Sequence, residues 1–162
     1  MPEAVVEVLS RLPLFQGFDA EALQAVVPLL KSARPAAGQR LFGQGEAGRT
    51  AFIVVSGRIR VEVETPSRGA VQVASVGPGE PVGEVALVDP GPRSATAIAT
   101  EPTVCVALTT EALKTLGRSR PDLVARILLN LSRTISARLR ALDATLAAVM
   151  AVPPAGGTRG VR

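Results

Sequence analysis

The residues from Gly83 to Arg93 combine types and spacing that suit the binding of an anion. Gly83 lets the backbone approach a ligand closely, and Glu84 begins a short helical turn. The free N–H groups of that turn, from Ala86 and Leu87, are expected to form an anion site together with the local dipole. Nine residues beyond Glu84, Arg93 supplies a planar, always-charged guanidinium that suits phosphate. The segment therefore predicts a phosphate site.

The neighbours of Arg93 indicate how a larger ligand would be held. Ser94 adds a hydroxyl group, and Ala95 is small enough to leave its own N–H reachable. Glu84 should not face a phosphate, because the two negative charges would repel each other. A carboxylate near a nucleotide instead accepts hydrogen bonds from a ribose hydroxyl. Considered alone, Arg93 has a plainer interpretation, which is a surface ion pair with Glu84 or Asp89.

The composition excludes several classes of function. The chain has no histidine, which removes Ser-His-Asp and Cys-His catalysis and most zinc and iron sites. Its one cysteine, Cys105, lies in an apolar run and is expected to be a buried, inert thiol. We therefore predict that the protein is not an enzyme and holds no metal. No apolar run is long enough to span a bilayer and the N-terminus is acidic, so we predict a cytoplasmic protein without a membrane partner.

The positive charge is concentrated late in the chain. Residues 1–113 carry 9 basic and 12 acidic groups, whereas residues 114–143 carry 7 basic and 2 acidic groups. A basic region can favour nucleic acid, but a solvated helix face is the favoured explanation. The chain also has only four Phe and no Trp or Tyr, so it lacks platforms on which bases could stack. Nucleic acid is therefore not an expected partner.

Sequence patterns divide the chain into four segments. Residues 1–32 form an N-terminal helical segment, in which Asp19 is a good N-cap. Residues 33–109 contain turn signals about every ten residues, and Ile59, Val61 and Val63 alternate with polar residues as in a half-buried strand. Many short strands at this spacing predict a β sandwich or barrel, which would hold the anion-binding segment at 82–96.

Of the remaining two segments, residues 110–150 are predicted to be helical and residues 151–162 to be disordered. Within residues 110–150, Thr109 or Thr110 caps a short helix that ends at Gly117, and a second helix begins at Pro121 and runs to about Met150. The second helix carries apolar residues at a spacing near the 3.5-residue repeat of coiled coils: Leu139, Leu142, Leu146 and Val149. It could therefore form the seam of a homodimer. Residues 151–162 are expected to be a disordered tail.

The segment 82–96 closely resembles the phosphate-binding cassette of cyclic nucleotide-binding domains, as in catabolite activator proteins and protein kinase A regulatory subunits. The family pattern is a Gly-Glu-aliphatic-Ala-Leu turn, a variable loop, and Arg followed by a small residue and Ala. The matching residues are Gly83, Glu84, Ala86, Leu87, Arg93, Ser94 and Ala95. Further similarities are Leu12–Phe15, Gly38 with Leu41, Phe42 and Gly45, and Ile53–Arg58. The resemblance covers about residues 10–142.

This resemblance implies a mainly β fold with flanking helices, namely an eight-stranded jelly roll with N-terminal helices and a C-terminal lid or hinge helix. Arg93 would bind the cyclic phosphate, and Glu84 would bind the ribose 2′-hydroxyl. Ser94 would offer a hydroxyl, as is typical of bacterial cAMP readers. The other implied ligand-binding residues are Val82 (where many members have Phe or Ile), Gly83, Val85, Ala86, Leu87 and Ala95, with Arg138 or, alternatively, Arg140 lying over the purine.

The implied function is a bacterial cyclic-nucleotide sensor for cAMP or cGMP, with cAMP favoured. The nucleotide would reposition the C-terminal helix about a hinge near Gly117–Pro121. Only 12 residues follow Met150, so we expect no DNA-binding or catalytic domain of its own. Output would then pass through a homodimer or through an effector protein in trans. The alternative is the same fold used as a protein-interaction module, with another ligand such as a cyclic dinucleotide, or with none.

Overall fold

The N-terminal segment is helical only as far as Leu29, and a strand begins at Lys31, so the predicted helical segment 1–32 extends too far. A computed structural model describes residues 2–151, so most of the predicted disordered tail lies outside the described residues. Helix α1 spans Pro2–Ser10, and helix α2 spans Ala20–Val26. The carboxylate of Asp19 accepts a hydrogen bond from the backbone N–H of Ala22 at 2.8 Å, which confirms Asp19 as the N-cap. A 3-10 turn at Val27–Leu29, which contains Pro28, follows α2.

Ten short strands follow within residues 2–151, and the pairings described between them are antiparallel. One four-stranded sheet has the order β1-β10-β4-β7, and a second has the order β2-β9-β5-β6. The strands β3 and β8 form a separate two-stranded ribbon. A short helix, α3, spans Val85–Val88 between β7 and β8. The strand bounds are β1 Lys31–Ala33, β2 Arg40–Phe42, β3 Ala47–Gly48, β4 Thr50–Ser56, β5 Ile59–Thr65, β6 Gly69–Val76, β7 Pro81–Val82, β8 Gly91–Pro92, β9 Thr96–Ala99 and β10 Val104–Thr109.

The two four-stranded sheets share one apolar core. Its buried members come from strands of both sheets, which shows that the sheets pack face to face: Phe42, Val54, Ile59, Val76, Val82, Ala97 and Cys105. The eight strands of these sheets and the flanking helices confirm the predicted jelly roll. Cys105 is fully buried, and burial raises the pKa of its thiol to about 11, so the thiol is protonated at neutral pH.

Two helices complete the described chain. Helix α4 spans Thr110–Ser119, and its N-cap Thr109 accepts a hydrogen bond from the N–H of Ala112 at 3.0 Å. The prediction that this helix ends at Gly117 is wrong, because α4 continues for two more residues. The buried side chains of Leu113 and Leu116 hold the helix against the domain and outweigh the cost of a helical glycine.

Helix α5 spans Pro121–Met150 and begins at the predicted proline. The chain divides into two compact units, residues 1–130 and residues 131–162. The first unit contains the jelly roll, α4 and the first ten residues of α5, and the second contains the rest of α5. Among residues 2–151, no helix is both long and apolar enough to cross a membrane.

Candidate functional site

The predicted phosphate-binding segment forms a strand, a glycine and a short helix. Val82 ends β7 and pairs with Phe52 of β4, and helix α3 follows at Val85–Val88. Gly83 between them has φ +71°, a conformation that glycine adopts far more easily than other residues. From the sequence alone, we explained this glycine by the close approach of its backbone to a ligand. The structure adds a second reason, which is the backbone conformation of the turn.

The N–H groups of this turn do not have the role predicted for them. The N–H of Ala86 donates to Gly83 O at 3.3 Å, and the N–H of Leu87 donates to Glu84 O at 3.0 Å. The expectation that these two groups are free is therefore wrong. A helix of only four residues closes its own turn with bonds to the carbonyl three residues earlier, and these bonds use the N–H groups that a longer helix would leave exposed.

Arg93 is a buried residue, not a surface one. Only 9% of it is exposed. Its Nη1 donates to Gly83 O at 3.1 Å, and its Nη2 donates to Thr50 O at 2.8 Å. The interpretation of Arg93 as a member of a surface ion pair is therefore wrong. Two backbone carbonyls hold the guanidinium inside the domain.

The ribbon of β3 and β8 brings a second turn against Arg93. Ala47 pairs with Pro92, and Gly48 pairs with Gly91. Arg93 N–H then donates to Glu46 O at 2.7 Å, and Gly45 N–H donates to Arg93 O at 2.8 Å. The backbone on both sides of Arg93 is thus fixed by a segment that lies more than 40 residues earlier in the chain.

Four residues form a slot around the guanidinium, which we call the arginine slot: Phe42, Gly48, Thr50 and Gly83. The Phe42 ring lies beneath the guanidinium, with its centroid 4.0 Å from Arg93 Cζ. A Cβ atom at Gly48 would lie 2.7 Å from Arg93 Nε, and one at Gly83 would collide with Nη1. Both glycines therefore leave space that the guanidinium fills.

The electrostatics of the arginine slot favour an anionic ligand. Burial lowers the pKa of Arg93, and the nearby charge of Glu46 opposes this change. The guanidinium of an arginine stays a cation in proteins. Among the described residues, Arg93 Nε is the one buried side-chain nitrogen or oxygen without a hydrogen-bond partner. Leaving a buried charged donor without an acceptor is costly. A phosphate oxygen is the kind of acceptor that would satisfy it.

The structure brings most of the predicted site residues together in the first unit. Buried residues among them are Val82, Glu84, Ala86, Leu87, Arg93 and Ala95, whereas Val85 and Ser94 are exposed. Arg138 is partly exposed and belongs to the second unit. Among the described residues, no group of three or more His, Cys, Asp or Glu could hold a metal ion.

Sequence reasoning missed the roles of Phe42, Gly48 and Thr50. Phe42 was part of the family resemblance, and Gly48 was one of several turn glycines, but neither was connected with Arg93. Thr50 contributes only its backbone carbonyl, so its side chain gave no signal. A buried arginine needs flat and small neighbours, and that requirement points to a glycine-rich turn without saying which one.

A groove of about 560 Å³ lies beside the cassette in the first unit. Leu87 and Val88 of α3 line one part of it, and residues of α4 and of the start of α5 line the rest. These include Leu113, Gly117, Val124 and Leu128. The groove shows that the short cassette helix and both C-terminal helices meet at one place.

The fold and the buried arginine define a ligand-binding domain of the jelly-roll class. A sequence model described as "Cyclic nucleotide-binding domain" matches residues 34–120, which is more than half of the chain. The chain belongs to the cyclic nucleotide-binding domain family. The matched range includes the whole cassette and the whole arginine slot.

Individual relatives agree with this assignment. The chain is 28% identical over 141 residues to a CRP-like cAMP-activated global transcriptional regulator of Mycobacterium tuberculosis (strain CDC 1551 / Oshkosh), covering 87% of this chain and 61% of that protein. It is 35% identical over 134 residues to the cyclic AMP receptor protein of Thermus thermophilus, covering 83% and 60%. A solved cyclic nucleotide-binding domain from Methylobacillus flagellatus KT superposes with a TM-score of 0.80 at 26% identity, covering 97% and 86%.

These comparisons agree on the cyclic nucleotide-binding domain family. The chain spans about three-fifths of the length of the curated relatives named above. The match therefore covers a part of these proteins and not their full length.

Proposed function

We propose that the protein is a regulatory sensor that binds a cyclic mononucleotide, cAMP in preference to cGMP. The observation that carries this proposal is the buried Arg93 Nε, which lacks an acceptor inside the arginine slot. A cyclic phosphate offers charged oxygens of the right size to a donor that is already fixed in place. The names of the two curated relatives, which refer to cAMP, support the choice of nucleotide.

The cassette residues then have distinct proposed roles. Arg93 binds the cyclic phosphate, and the buried Glu84 accepts a hydrogen bond from the ribose 2′-hydroxyl. Ser94 is exposed and offers its hydroxyl to the ligand. Gly83, Ala86 and Ala95 are the small residues proposed to line the phosphate, although the N–H of Ala86 already donates to Gly83 O, and Val82, Val85 and Leu87 supply apolar contacts. For the base we propose Arg138, because a guanidinium stacks well on a purine.

We propose that the signal passes from the cassette to the C-terminal helices through the groove. Leu87 lies on α3 next to the phosphate-binding residues, and it lines the groove with Leu113 of α4 and Val124 of α5. A ligand that fixes α3 thereby changes what the two helices pack against. The backbone break at Arg120, between α4 and α5, is the proposed hinge. The ligand would act by stabilising one of two helix positions.

The second unit is the proposed site of homodimerisation. Its large apolar residues Leu139, Leu142, Leu146 and Val149 are 58–65% exposed, and they follow the alternating three- and four-residue spacing of a coiled coil. Exposure of a continuous apolar stripe is costly unless a second helix covers it. An effector protein in trans would then read the sensor's state. The sensor is proposed to have no catalytic activity, and a cytoplasmic location remains a prediction from the sequence.

Titration calorimetry of the full chain tests the proposal. The panel consists of cAMP, cGMP and a cyclic dinucleotide at high protein concentration. Saturable heat with cAMP, weaker heat with cGMP and none with the dinucleotide is the expected result. Absence of heat with both mononucleotides would contradict the proposal, and heat with the dinucleotide alone would assign the fold to a different ligand.

A further inference from the structure

The aromatic residue beneath Arg93 has a chemistry that the binding roles above do not use. Phe42 lies at the end of β2 and is 7% exposed. Its ring centroid is 4.0 Å from Arg93 Cζ, which is well within the range of a cation–π interaction. On the β4 side, the ring of Phe52 stacks on Phe42 with centroids 6.1 Å apart and an interplanar angle of 24°.

A buried guanidinium needs contacts that replace water on its face as well as at its edge. The carbonyl of Gly83 accepts a hydrogen bond from Nη1, and the carbonyl of Thr50 accepts one from Nη2. These two bonds hold the guanidinium at its Nη edge. The faces of a guanidinium are poor hydrogen-bond donors, and an aromatic ring is the side chain that stabilises them best. With one N–H of each Nη held by a carbonyl and one face held by Phe42, Nε is the buried side-chain nitrogen that still lacks an acceptor within the described residues.

We infer that Phe42 is a positioning residue for the phosphate-binding arginine. It fixes the plane of the guanidinium, so that Nε keeps one direction before the ligand arrives. The inference rests on the proposed function, because it assigns Phe42 a role in the binding of the cyclic phosphate. Pre-organisation of this kind improves affinity by removing the cost of ordering a long side chain during binding.

Phe52 provides a matched control. Phe52→Leu removes the other ring of the same aromatic pair, whereas Phe42→Leu removes the ring that lies beneath Arg93. Both substitutions keep an apolar side chain. Phe42→Met is a second test variant with a more adaptable side chain, which is useful if the leucine variant does not fold.

The first readout is the NMR signal of Arg93 Nε–H in the ligand-free protein, assigned by its absence in Arg93→Lys. Protons above an aromatic face resonate upfield. We expect Phe42→Leu or Phe42→Met to move this signal downfield, and Phe52→Leu to leave it nearly unchanged. An equal shift in the Phe42 and Phe52 variants would overturn the inference. This readout needs no nucleotide, so it tests the contact between Phe42 and Arg93 even if the proposed function is wrong; the positioning role itself is tested by the affinity cycle below.

The second readout is the affinity for cAMP in a double-mutant cycle. We expect Phe42→Leu to weaken binding about tenfold in the wild-type background and less than about twofold in Arg93→Lys, whose ammonium has no planar face. Phe52→Leu should change the affinity less than about twofold in either background. An equal loss from Phe42→Leu in both backgrounds would mean that Phe42 acts by general packing, and would overturn the inference. Failure of the wild-type protein to bind any cyclic mononucleotide would instead contradict the proposed function.

Discussion

The two compact units of the chain treat their apolar residues in opposite ways. In the jelly-roll unit, residues such as Val54, Ile59 and Cys105 are fully buried between two sheets. In the second unit, Leu142 and Leu146 are 63% and 59% exposed along one helix. A region with its own core can hold a charged side chain such as Arg93 in a fixed position. A single helix cannot, and its apolar stripe is suited to contact another chain.

Substitution of Arg93 should abolish the ability of the jelly-roll unit to hold a charged side chain for the ligand. Arg93→Gln removes the charge and should weaken cAMP binding about 100-fold to 1000-fold, since charged hydrogen bonds to phosphate are the strongest in such a site. Arg68→Gln, in the exposed turn between β5 and β6, is the control and should leave the affinity unchanged. Calorimetry measures both variants. Equal affinities of Arg93→Gln and the wild type would remove Arg93 from the site.

A charge placed in the apolar stripe of the second unit should disrupt its contact with another chain. Leu142→Asp would bury an unpaired carboxylate in a coiled-coil seam and should weaken self-association at least about 100-fold. Ala144→Asp adds the same charge two residues later, on the opposite face of α5, and should have little effect. Analytical ultracentrifugation gives the oligomeric state. A wild-type monomer, or a Leu142→Asp dimer, would refute the seam.

Substitution of Glu84 separates the proposed sugar contact from the proposed phosphate contact within the jelly-roll unit. Glu84→Gln should weaken cAMP binding about tenfold, because a neutral amide accepts a weaker hydrogen bond than a carboxylate. With 2′-deoxy-cAMP, which lacks the hydroxyl, the wild type and the variant should bind equally well. Competition against a fluorescent cyclic nucleotide measures both ligands. A full tenfold difference with the deoxy ligand would show that Glu84 does not contact the 2′-hydroxyl.

The pH dependence of the free energy of unfolding is the smallest expected effect. It tests whether the jelly-roll core excludes water from the thiol of Cys105. Burial raises the pKa of Cys105 from 9.0 to about 11, so above pH 9 the unfolded state binds fewer protons than the folded state. The stability contributed by the protonated thiol is therefore complete below pH 9 and is lost as the pH rises towards 11. Between pH 8 and 10 the loss should be about 1 kcal/mol.

Urea unfolding of the wild type and of Cys105→Ala at several pH values isolates this effect, because other groups titrate equally in both proteins. The alanine variant should be less stable at pH 8 but should lose less stability between pH 8 and 10. Parallel pH profiles for the two proteins would mean that the thiol is not buried as described.

The sequence predicted the fold and the cassette because both depend on local signals. The turn glycines, Asp19 and Pro121 act on their immediate neighbours, and each lies where its local chemistry requires. Arg93 was recognised from the type and spacing of residues within one segment.

The arginine slot was not predictable because its contacts are not local. Thr50 O meets Arg93 Nη2 across 43 residues of chain, and Phe42 reaches the guanidinium only through the pairing of separate strands. The helix end at Gly117 was wrong for a similar reason, since buried side chains elsewhere in α4 outweigh the local preference of glycine. The free N–H groups expected at Ala86 and Leu87 failed because the turn is too short to leave them free.

The most direct test of the account follows the Arg93 Nε–H signal by NMR while cAMP is added to the full chain. This N–H lacks an acceptor in the ligand-free structure, and on binding it is expected to gain a phosphate oxygen. The signal should therefore move downfield in proportion to the bound fraction and become protected from exchange with water. Saturation of the protein with cAMP while the Arg93 Nε–H signal stays unchanged would contradict the account.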